Sequence, residues 1–314
     1  MNRLQPTARG VRTKDRLAAI SFRTAAYSVF GIVGLILWLL LGNSLVFLTE
    51  TSFSEFLTGN RWIVTSTESS NAYGIMAPLS GTLMVAIGAP ILAVPFGLAG
   101  AIYLAEYAQP RVRAIVKPTL EILTGIPSIV MGFFAFQVIN PWIRSITEPG
   151  DALYYLSGGN SAEQYNMLSA IIAVAIMILP IIVTFSEDAI RAVPKHLKEA
   201  SMGLGATKWE TTRKVVFPAA ISGITASVVL AVARAIGETM AVTMAAGTAQ
   251  YVNFNPFAGA LTATSAIANT AANDIAHDGP AYSSLFMVGL VLFLLTLVMN
   301  LIAQRIVKKF REEE

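Results

Sequence analysis

Long apolar runs constrain this chain more tightly than any motif it carries. Six stretches of roughly twenty residues are almost free of charge, each long enough for a helix to cross the ~30 Å hydrocarbon core of a bilayer. They are Ala25–Leu48, Gly81–Leu104, Ile122–Ile139, Asn166–Phe185, Ala219–Ala246 and Ala281–Ala303. Composition agrees, with 54% of the 314 residues hydrophobic and 13% charged. A soluble domain carries about twice that charged share. The expected fold class is all-α: a polytopic membrane protein with six transmembrane helices. Cysteine is absent, which excludes disulfides, thiolate metal sites and thiol nucleophiles.

The runs divide the chain. Residues 1–24 form a basic N-terminal segment, 25–48 the first span and 49–75 a polar loop. Residues 76–304 hold spans two to six, with a polar island at 187–217 between spans four and five. Residues 305–314 are a basic tail. The first span is too long for a signal peptide and lacks a clean small-residue cleavage site, so it reads as uncleaved. The segment around Pro78 is expected to lie along the membrane interface, ahead of span two. Pro90 and Pro95 predict a kink there, and Gly88, Gly97 and Gly100 predict close helix packing. Glu106–Glu121 reads as a short basic loop. Residues 247–279 read as a weakly charged loop whose helices could be surface or re-entrant.

Charge distribution orients the spans. Nineteen of the 22 Lys and Arg residues fall in the N-terminal segment, the 106–121 loop, the polar island and the tail. Arg61 and Arg144 lie on the other side, and Arg234 lies inside a span. Cytoplasmic loops carry the excess of Lys and Arg, so both termini and the island are expected in the cytoplasm.

The island Glu199–Pro218 reads EASMGLGATKWETTRKVVFP. Pro194 suits the first turn of a helix. Leu197, Ala200, Ser201 and Leu204 recur at helical spacing. Gly205 can adopt the left-handed conformation that ends that helix. Thr207 and Glu210 then form an S/T-x-x-E capping box, so a second short helix starts near Lys208. Pro218 marks the bend into the next apolar run. Two short helices with a glycine corner are thus offered on a membrane surface; a solvated connector is the plainer alternative.

Glu199-Ala200, Gly205 and Val215-x-Phe217-Pro218 resemble the EAA loop of bacterial ABC importer permeases, E-A-A-x3-G-x9-I-x-L-P, with Ser201 in place of the third-position Ala. The blocks at Ser186–Pro194, Leu204–Thr207 and Arg234–Met240, and the GIPS run at Gly125–Ser128, are similar to the permeases of phosphate ABC importers of the PstC type. The resemblance spans roughly Gly74 to Phe310. It implies an ABC importer type I permease fold in the bacterial inner membrane. It implies that Glu199, Ala200, Gly205, Ala206, Thr207 and Pro218 couple to an ATPase. The implied partners are a second permease, two copies of an ATP-binding subunit and an extracytoplasmic phosphate-binding protein. Membrane lipid is the surrounding solvent, and no nucleic acid is expected.

Arg234 stands near the middle of span five, where an Arg costs roughly 2.5–3.5 kcal/mol to insert. Glu238 follows one helical turn later, so the two side chains share a face. The functional reading is a polar spot on the substrate pathway, with the planar guanidinium matched to a tetrahedral oxyanion. The structural reading is an ion pair that locks the span against a neighbour. Glu187 and Asp188 read as solvated acids at the membrane edge, paired with Arg191 or Lys195; Glu106 and Glu121 read similarly. Asp274, His277 and Asp278 are spaced like metal ligands, but no further ligand is near, so no metal site is expected.

No G-x-x-x-x-G-K-[ST], G-x-S-x-G or H-E-x-x-H occurs. The chain is therefore expected to be a transport subunit and not an enzyme, without a cofactor, with ATP hydrolysis on a separate chain. The alternatives are a permease for molybdate, phosphonate or another oxyanion, or the sister phosphate permease. An ion-driven secondary transporter would lack the EAA loop and should show inverted repeats.

Overall fold

The computed structural model describes residues 8–65, 70–151, 154–155, 159, 161–273, 275–276 and 279–312. Helix α1 runs unbroken over Ala8–Glu50. The basic segment and the first apolar run are therefore one helix. Its 43 residues extend about 65 Å, twice the thickness of a bilayer core. Nearly all of its large apolar side chains are exposed, as a helix solvated by lipid or covered by a partner requires. After it come α2 (Phe53–Thr58) and a short antiparallel pair, β1 (Trp62–Ile63) with β2 (Ala72–Tyr73). Phe47, Phe56, Trp62 and Tyr73 pack edge to face beneath this polar loop.

Helix α3 (Met76–Ile102) continues through Pro90 and Pro95. Its first turn contains Pro78, a position where the missing N–H costs nothing. That turn is buried, so the segment expected along the interface is instead part of the span. A π-helical turn, Tyr103–Tyr107, ends it. The expected basic loop is a helix, α4 (Pro110–Thr124), with Pro at its start and no buried residue. Gly125 closes α4, and Pro127 keeps Ile126 out of helical geometry. The chain turns by 94° into α5 (Ser128–Phe134), a π-helical turn (Ala135–Ile139) and α6 (Asn140–Ser145).

Helix α7 (Met167–Ala192) is the centre of the molecule, packed along α3 and against later helices. The contact with α3 is close because glycines face it. A Cβ on Gly97 would sit 2.7 Å from Ile182, and one on Gly88 would sit 2.8 Å from Ile171. Small residues let backbones approach where no hydrophobic effect drives association. Next come α8 (Lys195–Gly203), α9 (Lys208–Thr211), a π-helical turn (Thr212–Val216) and α10 (Phe217–Ala219). A 69° bend at Ala220 leads into α11 (Ile221–Ile236). Three non-helical residues separate α11 from α12 (Met240–Ala246). The neutral loop beyond contains α13 (Ala263–Ala272), whose Ala263, Ser265, Ala266 and Thr270 are buried. Helix α14 (Pro280–Glu312) returns along α1.

Among the described residues four helices are long and apolar enough to cross a membrane, and two bent pairs raise the number to as many as six. Buried polar groups tie them together. Ser186 and Ser227 share a hydrogen bond of 2.7 Å between α7 and α11, and Asn140 donates to the Ala245 carbonyl at 3.0 Å.

Candidate functional site

Arg234 and Glu238 come together at a break, not in the middle of a continuous helix. Helix α11 ends at Ile236, so Arg234 lies in its last turn and Glu238 lies beyond it. Arg234 Nη1 is 3.3 Å from Glu238 Oε2. The two are unequally placed: the arginine side chain is 43% exposed and the carboxylate 3%. Glu238 Oε1 also accepts the Ala241 N–H at 3.3 Å, so the carboxylate ties down the start of α12. The Thr264 hydroxyl of α13 donates to the Glu238 carbonyl at 2.7 Å. The remaining guanidinium donors have no protein acceptor among the described residues. The arrangement can therefore present a fixed, partly neutralised cation to an anion on the open face.

The second predicted site is the loop from α8 to α10. Gly205 has φ +91°, the left-handed corner expected between the helices. The capping box is complete. Thr207 Oγ1 accepts the Glu210 N–H, and Glu210 Oε2 accepts the Thr207 N–H at 2.9 Å. The Thr207 N–H and hydroxyl, both donated to Glu210 Oε2, hold the Glu210 carboxyl below its usual range, the backbone N–H acting most strongly. Ser201 and Thr211 share a hydrogen bond of 3.0 Å that joins the two helices. Pro218 lies at the bend; its ring cannot follow a regular turn, and the π-helical turn before it takes up the mismatch. Glu199, Ala200, Gly205, Thr207 and Pro218 are exposed, and Ala206 is half-buried. Leu204 is 91% exposed beside exposed Met202 and Trp209, an apolar tip on a polar loop.

Two cations anchor this loop on the end of α3. Lys198 Nζ is 2.5 Å from Glu106 Oε1, and Lys208 Nζ stands 4.8 Å from the centre of the Tyr107 ring. Glu106 is thus a partner, not a solvated acid.

Glu187 also departs from its sequence reading. It is 1% exposed and takes three cations: Arg113 Nε at 2.7 Å, Lys117 Nζ at 3.0 Å and Arg191 Nε at 3.6 Å. Lys117 also binds Asp188, which stays exposed. Only the Arg191 contact was legible, as an i,i+4 pair; Arg113 and Lys117 lie some seventy residues upstream. Asp274, His277 and Asp278 lie outside the described residues. Among the described residues no group of three potential ligands could hold a metal.

Residues 93–312 match the model of the family described as the binding-protein-dependent transport system inner membrane component. The chain belongs to this family of membrane permeases. Among curated proteins, the phosphate transport system permease protein PstC of Mesorhizobium japonicum is 34% identical over 306 residues, covering 95% of this chain and 91% of the relative. PstC of Pasteurella multocida is also 34% identical, covering 87% and 86%. The probable ABC transporter permease YqgH of Bacillus subtilis is 35% identical, covering 79% and 75%. The inward-facing MetNI methionine ABC transporter matches with a TM-score of 0.54 at 19% identity, over 73% of this chain and 93% of its own. That last likeness concerns the fold alone. The permease is a non-enzymatic, multi-pass membrane subunit that works with other ABC transporter components.

Proposed function

We propose that this permease forms half of the translocation pathway of an ATP-driven phosphate importer. The observation that carries the reading is its nearly end-to-end likeness to PstC proteins. The second half is a related permease, two ATP-binding subunits dock on the inner side, and a binding protein delivers phosphate outside. Arg234 meets the anion along the path, and Glu238 neutralises the guanidinium while the path is empty. A partly neutralised arginine binds weakly, and a pathway must release its cargo. Residues 199–218 are the ATPase contact, and both termini and α4 face the cytoplasm, as the distribution of Lys and Arg supports.

The test is ATP-dependent uptake by the complex reconstituted in vesicles with its binding protein. Phosphate should accumulate, while sulfate and molybdate should not. Accumulation of either of those in preference to phosphate would replace this substrate with another oxyanion.

A further inference from the structure

A pocket of ≈ 400 Å³ opens at the loop end of the bundle. It lies between the π-helical turn after α3, the helix α4 and the last turn of α7. One wall is apolar, with Leu104 and Pro118, and Arg113, Lys117 and Arg191 line the rest. At the end of the pocket beside α7, three cations share two carboxylates. Lys117 is taken by Asp188 and by Glu187 Oε2. The Nε atoms of Arg113 and Arg191 stand 2.7 and 3.6 Å from the other oxygen, Oε1, but neither N–H is aligned to donate to it. Two guanidinium groups therefore sit side by side on one carboxylate oxygen that is itself shut off from water. Their Nη groups have no acceptor among the described residues. Glu121 lines the same pocket, but eight residues beyond Arg113, roughly 12 Å along α4. It makes no ion pair with either arginine, and it repels an anion from that end.

Three cations thus share Glu187 and Asp188 at one end of an open, half-apolar pocket, with Glu121 toward the other end. Like charges this close repel unless an anion shares them. A tetrahedral phosphate group offers several oxygens to two adjacent planar forks. Basic pockets between helices on the inner side of a membrane take phosphate headgroups by this chemistry. We infer that the pocket binds one phosphate group through Arg113 and Arg191, supplied either as inorganic phosphate or as the headgroup of an anionic lipid. The site is separate from Arg234 and does not depend on the pathway reading.

The test uses the full-length chain carrying Arg234→Gln, so that the proposed pathway residue contributes nothing. One arm places it in phosphatidylcholine nanodiscs and measures binding of radiolabelled inorganic phosphate by equilibrium dialysis. The other purifies it from vesicles containing phosphatidylglycerol and counts the lipid retained. Binding in the first arm identifies the free anion, and retention in the second identifies the headgroup. In whichever arm responds, adding Arg191→Gln should weaken binding about tenfold or more, the effect of losing a charge-assisted bond. Arg191 is 46% exposed at a helix end and is the most distant of the three cations around Glu187, so its replacement takes least from that cluster. Arg113→Lys, which keeps the charge but loses the fork, should weaken binding less. Absence of binding in both arms, or binding that Arg191→Gln leaves unchanged, would overturn the site.

Discussion

Arg234 and Glu238 show why a pair of charges cannot be treated as interchangeable. The carboxylate is buried and also accepts the Ala241 N–H; the guanidinium is half open. Exchanging them would bury the larger cation and leave that N–H without its acceptor, so the exchange fails whatever the pair does. Arg234→Lys is the cleaner change. It keeps the charge beside Glu238 and loses the fork. Uptake should fall about tenfold at unchanged membrane abundance, the size expected for one charge-assisted bond; unchanged uptake would make Arg234 a structural residue. Glu187 calls for a different measurement. Glu187→Ala leaves three cations crowded around a void, and breaking a buried pair costs about 3–5 kcal/mol. The melting temperature of the purified protein should fall sharply, and an unaltered one would mean that the cluster contributes little. Arg234 was visible in the sequence because a charge inside an apolar run needs a partner or a ligand. The Glu187 cluster was not, because spacing says nothing about partners seventy residues away.

At the scale of elements, local signals were read correctly and long-range ones were missed. The glycine corner at Gly205 and the cap at Thr207 are written into a few neighbouring residues, and both form as expected. The break after Ile236 and the buried helix α13 depend on hydroxyls and backbone groups contributed by distant segments, such as Thr264 on the Glu238 carbonyl. Helix α4 was hidden by its charges, which read as a loop but point to partners on α7. Gly205→Val tests the corner. Nothing lies within 4 Å of an added Cβ, so the effect is conformational: a left-handed residue with a side chain costs about 1–2 kcal/mol, more if β-branched. ATPase activity in the complex should no longer be stimulated by transport, while the subunit still reaches the membrane; normal coupling would refute the role of the corner. Acid should act on the neighbouring cap. Because the folded state lowers the Glu210 pKa, the cap's contribution is complete above the usual carboxylate range and disappears as pH falls through the lowered value. Protection of the Thr207 N–H from hydrogen exchange, taken relative to its intrinsic rate at each pH, should fall over that acid range, and Glu210→Gln should abolish the pH dependence of that protection. Gly97→Val tests the helix contact. The added side chain meets Ile182, and overpacking of this kind costs about 1–3 kcal/mol, so thermal stability should drop.

The whole molecule is a bundle centred on α7, with the exposed helices α1 and α14 at its margin. Apolar runs and charge asymmetry were enough to indicate a polytopic membrane protein and its expected orientation; the permease reading came from the resemblance carried by Glu199–Pro218. The runs and charges did not reveal the 94° turn between α4 and α5; the 69° bend at Ala220 falls two residues after Pro218, where the sequence places one. Orientation is open to direct measurement, since the chain has no cysteine. Ala114→Cys should resist an impermeant thiol reagent applied outside intact cells, and Ser161→Cys should react; the reverse pattern would invert the topology. The same cysteine-free background gives the most direct test of coupling through the loop. Leu204, 91% exposed at its tip, is the residue that a docked ATPase would cover. With Leu204→Cys in the assembled complex, a short thiol cross-linker should join this chain to the ATP-binding subunit, and docking should shield the thiol from a small alkylating reagent. A Leu204→Cys thiol that reacts equally fast with and without the ATPase, and forms no cross-link to it, would contradict the account.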